Sequence, residues 1–282
     1  MKISVIIPTY NEHKVIGACL LSLIKQQKCN FEVIIVDDGT KEKRSEEIIS
    51  RLKNEFAKNQ IIYLKQKHLG PAAARNRGAG VAKGQILVFV DADMTFNKMF
   101  LYELTLPIVR SEFKGTFSVN EYVSNWENVW ARCWNYNDNL VSSRRHKENY
   151  PKTQLVFRAI LKREFDKVGG FSQGGYTDDY TLGVKLGYEA HMVKGAKFYH
   201  QNPSSLREVF FHAKWVSKRQ YKLGLIGVII ALIRNSLPVT KVVGLWKAVK
   251  YKEPLFFVFK IVYGFAVTLG IVEYWVFGKG SK

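Results

Sequence analysis

The segment ISVIIPTYNE, residues 3–12, decides the fold class. It opens with a nearly continuous apolar run, and three further runs of the same kind follow at 31–36, 61–64 and 85–90. A strand with one solvent-exposed face alternates apolar and polar residues, whereas a strand buried on both faces does not. Buried strands of this kind are typical of parallel sheets. The four runs therefore predict the strands of one parallel sheet.

Stretches with helical spacing of apolar residues separate these runs, at 13–27, 45–57 and 72–82. Alternating strands and helices form right-handed βαβ units, so we expect an α/β fold with a doubly wound, mostly parallel sheet. After residue 95 the pattern loosens, with a helix expected at 97–109 and a strand at 154–161. No linker rich in Pro, Gly or Ser interrupts this part of the chain.

Composition limits the classes of protein to which the chain can belong. Of its 282 residues 47% are hydrophobic, which is enough for a packed core and excludes general disorder. Lys and Arg total 43 against 24 Asp and Glu, so the net charge of +19 favours polyanions, anionic lipid surfaces or phosphate-bearing ligands without choosing among them. The cysteines, Cys19, Cys29 and Cys133, have no CxxC spacing, which predicts a reducing compartment and no cysteine metal site.

Polar and acidic residues follow three of the predicted strands. They are Tyr10 and Glu12 after the first, in the segment that Pro8 begins, Asp37 and Asp38 after the second, and Asp91 and Asp93 after the fourth. Ligands bind at the carboxyl ends of the strands in open parallel sheets. Carboxylates that converge there repel one another unless a cation or a hydrogen-bonding ligand joins them. This edge of the sheet is therefore the expected functional site.

Asp91 and Asp93 have oxygen donors that suit a magnesium or manganese ion bridged to substrate phosphates, although an acidic turn or a helix cap has the same sequence. Arg75 lies in the first turns of the helix that GPAAARNRG opens at 70–78, within reach of a diphosphate or of the carboxylates; the alternative is a solvated arginine. Asp178 and Asp179 precede another helical pattern. Either they cap that helix, or one of them takes a proton from a substrate hydroxyl as a general base.

Six segments together strongly resemble glycosyltransferase family 2. They are SVIIPTYNE at 4–12, VDDGT at 36–40, GPAAARNRGAG at 70–80, VDAD at 90–93, VGGF at 168–171 and TDDYTLGVKLG at 177–187. They occur in the family's order and spacing across residues 1–205. The resemblance implies the Rossmann-like GT-A fold and transfer of a sugar from a nucleotide diphosphate sugar, with inversion at the anomeric carbon.

The resemblance also assigns roles by position. The residues that it places around the nucleotide are Pro8, Tyr10, Glu12, Asp37, Asp38 and Arg75. Asp38, with Asp37 nearby, contacts the base by this likeness, while Asp91 and Asp93 serve the ribose and the metal. The implied cofactor is a divalent ion, magnesium or manganese.

Asp179 matches the general base of the family, and Asp178 is a shortened stand-in for the glutamate usual at its position. His200 resembles a histidine that completes the metal shell in other members; the alternative is a structural histidine. Trp215 and Arg219 loosely resemble a Trp-Arg element that membrane-bound members place over the acceptor. The QxxRW sequence usual for that element is absent here.

The C-terminal part of the chain, residues 206–282, has a different composition. Residues 255–272 carry only one charge, Lys260, and as a helix they would span about 27 Å, close to the ~30 Å hydrocarbon layer of a membrane. Residues 223–233 are apolar but too short to span, and suit an interface. We therefore expect a catalytic domain at 1–205 and a membrane-associated helical segment after it. The alternative for both apolar stretches is a buried helix of a soluble domain.

The resemblance and the C-terminal segment together predict a membrane-associated inverting glycosyltransferase. Because the apolar run before Pro8 is too short for a secretory leader, we expect it at the cytoplasmic face of the cell membrane. The expected partners are a UDP- or GDP-linked sugar and a lipid-linked or cell-envelope glycan acceptor. One alternative, a sugar-nucleotide nucleotidyltransferase, needs a Gly-rich phosphate loop that PTYNEHK at 8–14 lacks. Another is a basic nucleic-acid-binding protein. Because much of the excess charge flanks apolar segments, we expect no nucleic-acid partner.

Overall fold

The computed structural model of the chain describes residues 1–53, 61–172 and 178–278. Within them the chain forms two units. The described residues of Met1–Tyr122 and Glu148–His200 form the first unit, and those of Val123–Lys147 and of the stretch 201–278 form the second. The second unit therefore takes in residues 123–147, which the sequence analysis groups with residues 1–205. A boundary near residue 205 stays a prediction.

The four predicted strands lie side by side in an eight-stranded sheet. Their bounds are Ile3–Thr9 (β1), Phe31–Asp37 (β2), Ile61–Lys65 (β3) and Ile86–Phe89 (β4). The order is β3-β2-β1-β4, and all three of these pairings are parallel. The prediction of a parallel sheet is confirmed for this half of the sheet.

The other half of the sheet contains both parallel and antiparallel strand pairs. It contains Gly115–Ser118 (β6), Thr153–Gln154 (β8), Ala159–Leu161 (β9) and Ala190–Val193 (β10), in the order β9-β6-β10-β8. β9 is antiparallel to β4 and β6, and β6 is parallel to β10. The single strand expected at 154–161 is wrong in extent, because β8 pairs with β10 while β9 pairs elsewhere. A separate small sheet joins Met94–Phe96 (β5), Phe198–His200 (β11) and Glu121–Val123 (β7).

Helices cover both faces of the sheet, as continuous apolar strands require. Ile3, Val5 and Ile7 of β1 pack in one core with Ile16–Ile24 (α1) and Phe100–Val109 (α4), whereas Ile6 faces the other core, which includes alanines of Pro71–Val81 (α3). The remaining helices of this unit are Arg44–Lys53 (α2), Lys162–Lys167 (α6) and Asp178–Leu186 (α7). Residues 54–57 of the helix predicted at 45–57, and Thr177 of the segment 177–187, lie outside the described residues.

The second unit is helical. Its helices are Val129–Asn137 (α5), Leu206–Ser217 (α8), Gly224–Arg234 (α9), Leu237–Tyr251 (α10) and Leu255–Phe277 (α11). Cys133 of α5 shares a buried cluster with Val209, Ala248 and Phe256, which explains why residues 123–147 group with the C-terminal helices. By length and composition, α11 is the one single helix among those described that is able to cross a membrane.

α3 approaches the sheet closely because it carries small residues. A Cβ added to Gly78 would lie 2.6 Å from Cγ2 of Ile6, whereas a Cβ on Gly80 of the same helix meets nothing within 4 Å. α3 can therefore pack this close to β1 only because residue 78, which faces Ile6, is a glycine. This contact sets the distance between α3 and the strand ends.

We predict that Gly78→Ala lowers the free energy of unfolding by about 1–2 kcal/mol, because overpacking of the core outweighs the better helix propensity of alanine. Gly80→Ala is the matched control, and it should raise stability by about 0.5–1 kcal/mol. Urea denaturation of both variants checks the prediction. Equal stabilisation by the two substitutions would contradict the close approach of α3.

Candidate active site

Two buried carboxylates hold the beginning of α3. Asp38, which follows β2, accepts hydrogen bonds from the backbone N–H groups of Leu69 and Gly70, each at 2.9 Å. Asp178 accepts one from the N–H of Ala72 at 3.2 Å. The first N–H groups of a helix have no partner within the helix, and negative charge there also complements the helix dipole. Side chains from two distant parts of the sequence thus fix where α3 starts.

Arg75, one turn further along α3, lies between two carboxylates. Its Nη2 is 3.0 Å from Oδ1 of Asp91, and its Nη1 is 2.5 Å from Oδ1 of Asp179. The Arg75 side chain is only 9% exposed, whereas Asp179 is 42% exposed. Burial alone would lower the pKa of Arg75, but Asp179 and Asp91 raise it above its ordinary value. The alternative of a solvated arginine is therefore excluded.

Asp91 receives a second cation, because Nη1 of Arg158 lies 3.7 Å from its Oδ2. Burial would raise the pKa of Asp91, but Arg75, Arg158 and His200 together lower it. The carboxylate is therefore ionised and already balanced by protein groups. Four parts of the chain meet in this network: α3, the turn after β4, the segment just before β9, and the first turn of α7.

Asp93 belongs to a different arrangement. Nε2 of His200 lies 2.9 Å from its Oδ2, and Nδ1 of the same ring lies 2.7 Å from Oε1 of Glu121. The imidazole therefore stands between two carboxylates, one from each side of the small sheet. The other oxygen of Asp93, Oδ1, is buried and has no hydrogen-bond partner among the described residues. A buried oxygen without a partner is costly unless a ligand satisfies it.

A divalent cation fits Asp93, since a bare buried carboxylate oxygen is the donor that magnesium and manganese prefer. Over residues 1–53, 61–172 and 178–278, no three side chains of His, Cys, Asp or Glu already stand in metal-binding geometry. Asp91 is held by arginines, and His200 by two carboxylates. Asp93 thus offers a cation an unused oxygen atom, and Asp91 and His200 remain predicted ligands.

The pKa of Glu12 also reflects the concentration of carboxylates at this site. Burial, and then the charges of Asp93 and Asp91, raise the pKa of its carboxyl from 4.5 to about 7, while His200 acts in the opposite direction. The predicted meeting of carboxylates from separate strand ends is therefore visible in the electrostatics, because Glu12 follows β1 and the other two follow β4.

The nucleotide-side residues also contact one another. The ring of Tyr10, which is exposed, stacks on His68 with centroids 4.2 Å apart. Nδ1 of His68 lies 2.8 Å from Oδ2 of Asp38. Asp37 accepts a hydrogen bond from the hydroxyl of Tyr63 at 2.6 Å. The structure brings Tyr10 and Asp38 together through His68, while contact of Asp37 and Asp38 with a base stays a prediction.

The remaining predicted residues lie in other elements. Pro8 is in β1, Trp215 is in α8 of the second unit, and Arg219 follows that helix. Their proposed contacts with substrate stay predictions.

Sequence reasoning missed four residues of the site: Arg158, Glu121, His68 and Asn76. Asn76 holds the VGGF turn, because its amide donates to the carbonyl of Phe171 at 2.8 Å and accepts from its N–H at 2.9 Å. A lone arginine in the apolar run 154–161 was the available signal for Arg158. Glu121, His68 and Asn76 have no such signal in the sequence, since each is identified only by contacts with residues distant along the chain.

We predict that Glu12→Gln changes how stability depends on pH. Between pH 4.5 and about 7 the unfolded chain releases the Glu12 proton while the native state retains it, so this group makes stability fall as pH rises. Relative to the native sequence, Glu12→Gln should gain about 1–3 kcal/mol between pH 5 and pH 8. Urea denaturation at both pH values measures this, with Glu47→Gln on the exposed side of α2 as control. A pH-independent difference would contradict the burial of Glu12 among acids.

Comparison with known proteins agrees with this geometry. The family model "Glycosyl transferase family 2" matches residues 4–173, more than half of the chain. Poly(ribitol-phosphate) beta-N-acetylglucosaminyltransferase TarS of Staphylococcus aureus is 38% identical over 100 residues, which are 35% of this chain and 17% of TarS. The chain covers less than two thirds of the length of each of the first curated relatives that it matches.

Two solved structures share the fold. TarS residues 1–349 in complex with UDP-GlcNAc has a TM-score of 0.59 at 16% identity, covering 99% of this chain and 93% of that one. Mannosyltransferase PcManGT from Pyrobaculum calidifontis, in complex with GDP-Man and Mn²⁺, has a TM-score of 0.60 at 17% identity. The match covers 94% of this chain and 86% of PcManGT. With the matched family model and the mixed α/β sheet, these likenesses lead to one conclusion: the chain belongs to glycosyltransferase family 2 and has the GT-A fold.

Proposed function

We propose that the enzyme is an inverting glycosyltransferase that moves a sugar from a nucleotide diphosphate sugar to a hydroxyl or phosphate of a lipid-linked or cell-envelope glycan. The observation that carries this proposal is the guanidinium of Arg75, which is buried between Asp91 and Asp179 at the carboxyl ends of the strands. It supports a site in which one carboxylate lies close to the donor and another is accessible to the acceptor.

The relatives support the substrate class. TarS is named for transfer to poly(ribitol-phosphate), and its structure holds UDP-GlcNAc. The structure of PcManGT holds GDP-Man. We therefore take a UDP- or GDP-linked sugar as the donor and a polyol-phosphate glycan as the acceptor of first choice.

Asp179 is the proposed general base. Its carboxylate is partly exposed and is oriented by Arg75, so it is accessible to an incoming hydroxyl. The acceptor hydroxyl gives its proton to Asp179, its oxygen bonds to the anomeric carbon, and the bond from that carbon to the diphosphate oxygen breaks on the opposite side, which inverts the configuration. Asp178 is buried and bound to the first turn of α3, so its proposed role is to position this region.

Asp93 is the proposed anchor for magnesium or manganese, with Asp91 and His200 as further ligands. Support comes from the unpaired Oδ1 of Asp93 and from the Mn²⁺ in PcManGT. When bound, the ion would neutralise the charge that develops on the departing diphosphate. Arg75 and Arg158 hold Asp91 in place.

We also propose that the enzyme works at the cytoplasmic face of a membrane. Support comes from α11, which is long and apolar enough to associate with a bilayer, and from the excess of positive charge in the last third of the chain. A lipid-linked or envelope acceptor is presented at such a surface.

We predict that Asp179→Asn lowers the rate of sugar transfer from UDP-GlcNAc or GDP-Man to poly(ribitol-phosphate) by about 10²–10⁴-fold, because the attacking hydroxyl loses its base. Asp178→Asn is the matched control; it should mainly lower stability, by about 1 kcal/mol. Transfer of radiolabelled sugar measures the rates, and EDTA should abolish transfer until Mn²⁺ is restored.

Retention of transfer by Asp179→Asn would exclude that residue as the base. Failure of the native chain to transfer from any nucleotide diphosphate sugar, with metal present, would contradict the proposed reaction.

A further inference from the structure

The second unit has an apolar surface that no described part of the chain covers. On α9 the exposed large residues recur on one side of the helix, and all are 37–64% exposed: Leu225, Ile226, Ile229, Ile230 and Ile233. Residues with this spacing lie on a single helical face. A soluble helix normally turns such a face toward its core. Here the core side of α9 is occupied by Val228 instead.

α10 repeats the arrangement. The apolar residues exposed on one side of it are 56–73% exposed and are Val242, Leu245, Trp246 and Val249. The opposite side of the same helix, with Thr240, Gly244 and Ala248, is buried. We call these nine residues of α9 and α10 the apolar face. An exposed set of this size on neighbouring helices marks an interaction surface rather than scattered surface residues.

α11 is held inside the unit along one side only: eight of its 23 residues are buried, while Val258, Phe265 and Val276 are exposed. It packs against α8 and α10, and Phe256 and Phe259 are fully buried. A Cβ on Gly264 would collide with Thr240 of α10, and one on Gly270 with Ser217 of α8. The buried amino group of Lys260 donates to Oδ1 of Asn137 at 3.0 Å, so the helix is matched to protein neighbours even at its charge.

The part of the sequence that carries the apolar face has charged residues of one sign. Between Glu208 and Glu253 the chain has nine Lys and Arg and no Asp or Glu. Arg234, Lys241 and Lys250 are exposed on α9 and α10, and the ammonium of Lys250 lies 4.8 Å from the ring centre of Trp246. A second copy of this chain would bring the same positive charge to the face. An anionic bilayer surface complements it, and a basic amphipathic helix with tryptophan is typical of helices that lie in that interface.

We propose that the apolar face of α9 and α10 lies in the plane of an anionic phospholipid membrane, so that the chain attaches to one leaflet instead of crossing the bilayer with α11. This deepens the proposed membrane location and rests on it. The apolar side chains enter the boundary between headgroups and acyl chains, while the flanking lysines and arginine contact lipid phosphates.

Flotation of the full chain with vesicles tests the proposal. Binding is expected to phosphatidylcholine vesicles that contain phosphatidylglycerol, with much less binding to phosphatidylcholine alone and a decrease as salt is added. The double variant Val242→Glu/Val249→Glu should bind the anionic vesicles at least about tenfold more weakly. Val141→Glu is the matched control, because Val141 and Val242 are both 70% exposed and Val141 lies outside α9 and α10. This control should bind like the native chain.

Three results would overturn the proposal: flotation of the double variant equal to that of the native chain, equal binding to neutral and anionic vesicles, or a native chain that binds neither and forms dimers instead. If the double variant floats like the native chain and the bound protein also resists extraction from the vesicles at high pH, the attachment would be assigned to α11. Far-UV circular dichroism confirms that the variants are folded. Flotation needs no substrate, so its outcome is independent of the sugar-transfer assay, and the double variant should still transfer sugar to a soluble acceptor.

Discussion

The ion pairs of Arg75 are the interaction on which the candidate site depends. A guanidinium that is withdrawn from water is stable only when carboxylates accept its hydrogen bonds, and here Asp91 and Asp179 do so from different parts of the chain. The positions of Arg75, Asp91 and Asp179 therefore depend on one another. A turn after a central strand, the start of one helix and the start of another are joined into a single polar edge of the sheet.

This arrangement requires α3 to lie close to the strand ends. Gly78 permits the approach, and Asp38 and Asp178 fix the first turn of the helix. The negative charge near Asp93 is less well balanced: one oxygen of Asp93 has no partner among the described residues, and burial together with Asp93 and Asp91 raises the pKa of Glu12 to about 7. The protein thus balances its own charge at Asp91 and leaves the neighbouring position suited to an external cation.

The sequence predicts the first half of the sheet well, because strands buried on both faces have continuous apolar runs that need no knowledge of their neighbours. The convergence of Glu12, Asp38 and Asp91, each of which follows a parallel strand, likewise follows from parallel topology, whereas Asp179 lies at the start of α7 and its assignment rests on the family resemblance. The different exposure of Asp178 and Asp179 could not be predicted, since it depends on how α7 is rotated about its axis. The pairing of His200 with Glu121 depends on a small sheet of short strands, and the grouping of 123–147 with the C-terminal helices depends on tertiary packing.

A double-mutant cycle between Arg75 and Asp179, read out as the initial rate of sugar transfer, tests the central claim most directly. Arg75→Lys keeps the positive charge but lacks the planar fork that contacts two carboxylates at once. If Arg75 acts by orienting Asp179, this change should slow transfer by roughly tenfold or more in the native background and have little effect once Asp179 is asparagine. Equal, multiplicative losses in the two backgrounds would contradict the account.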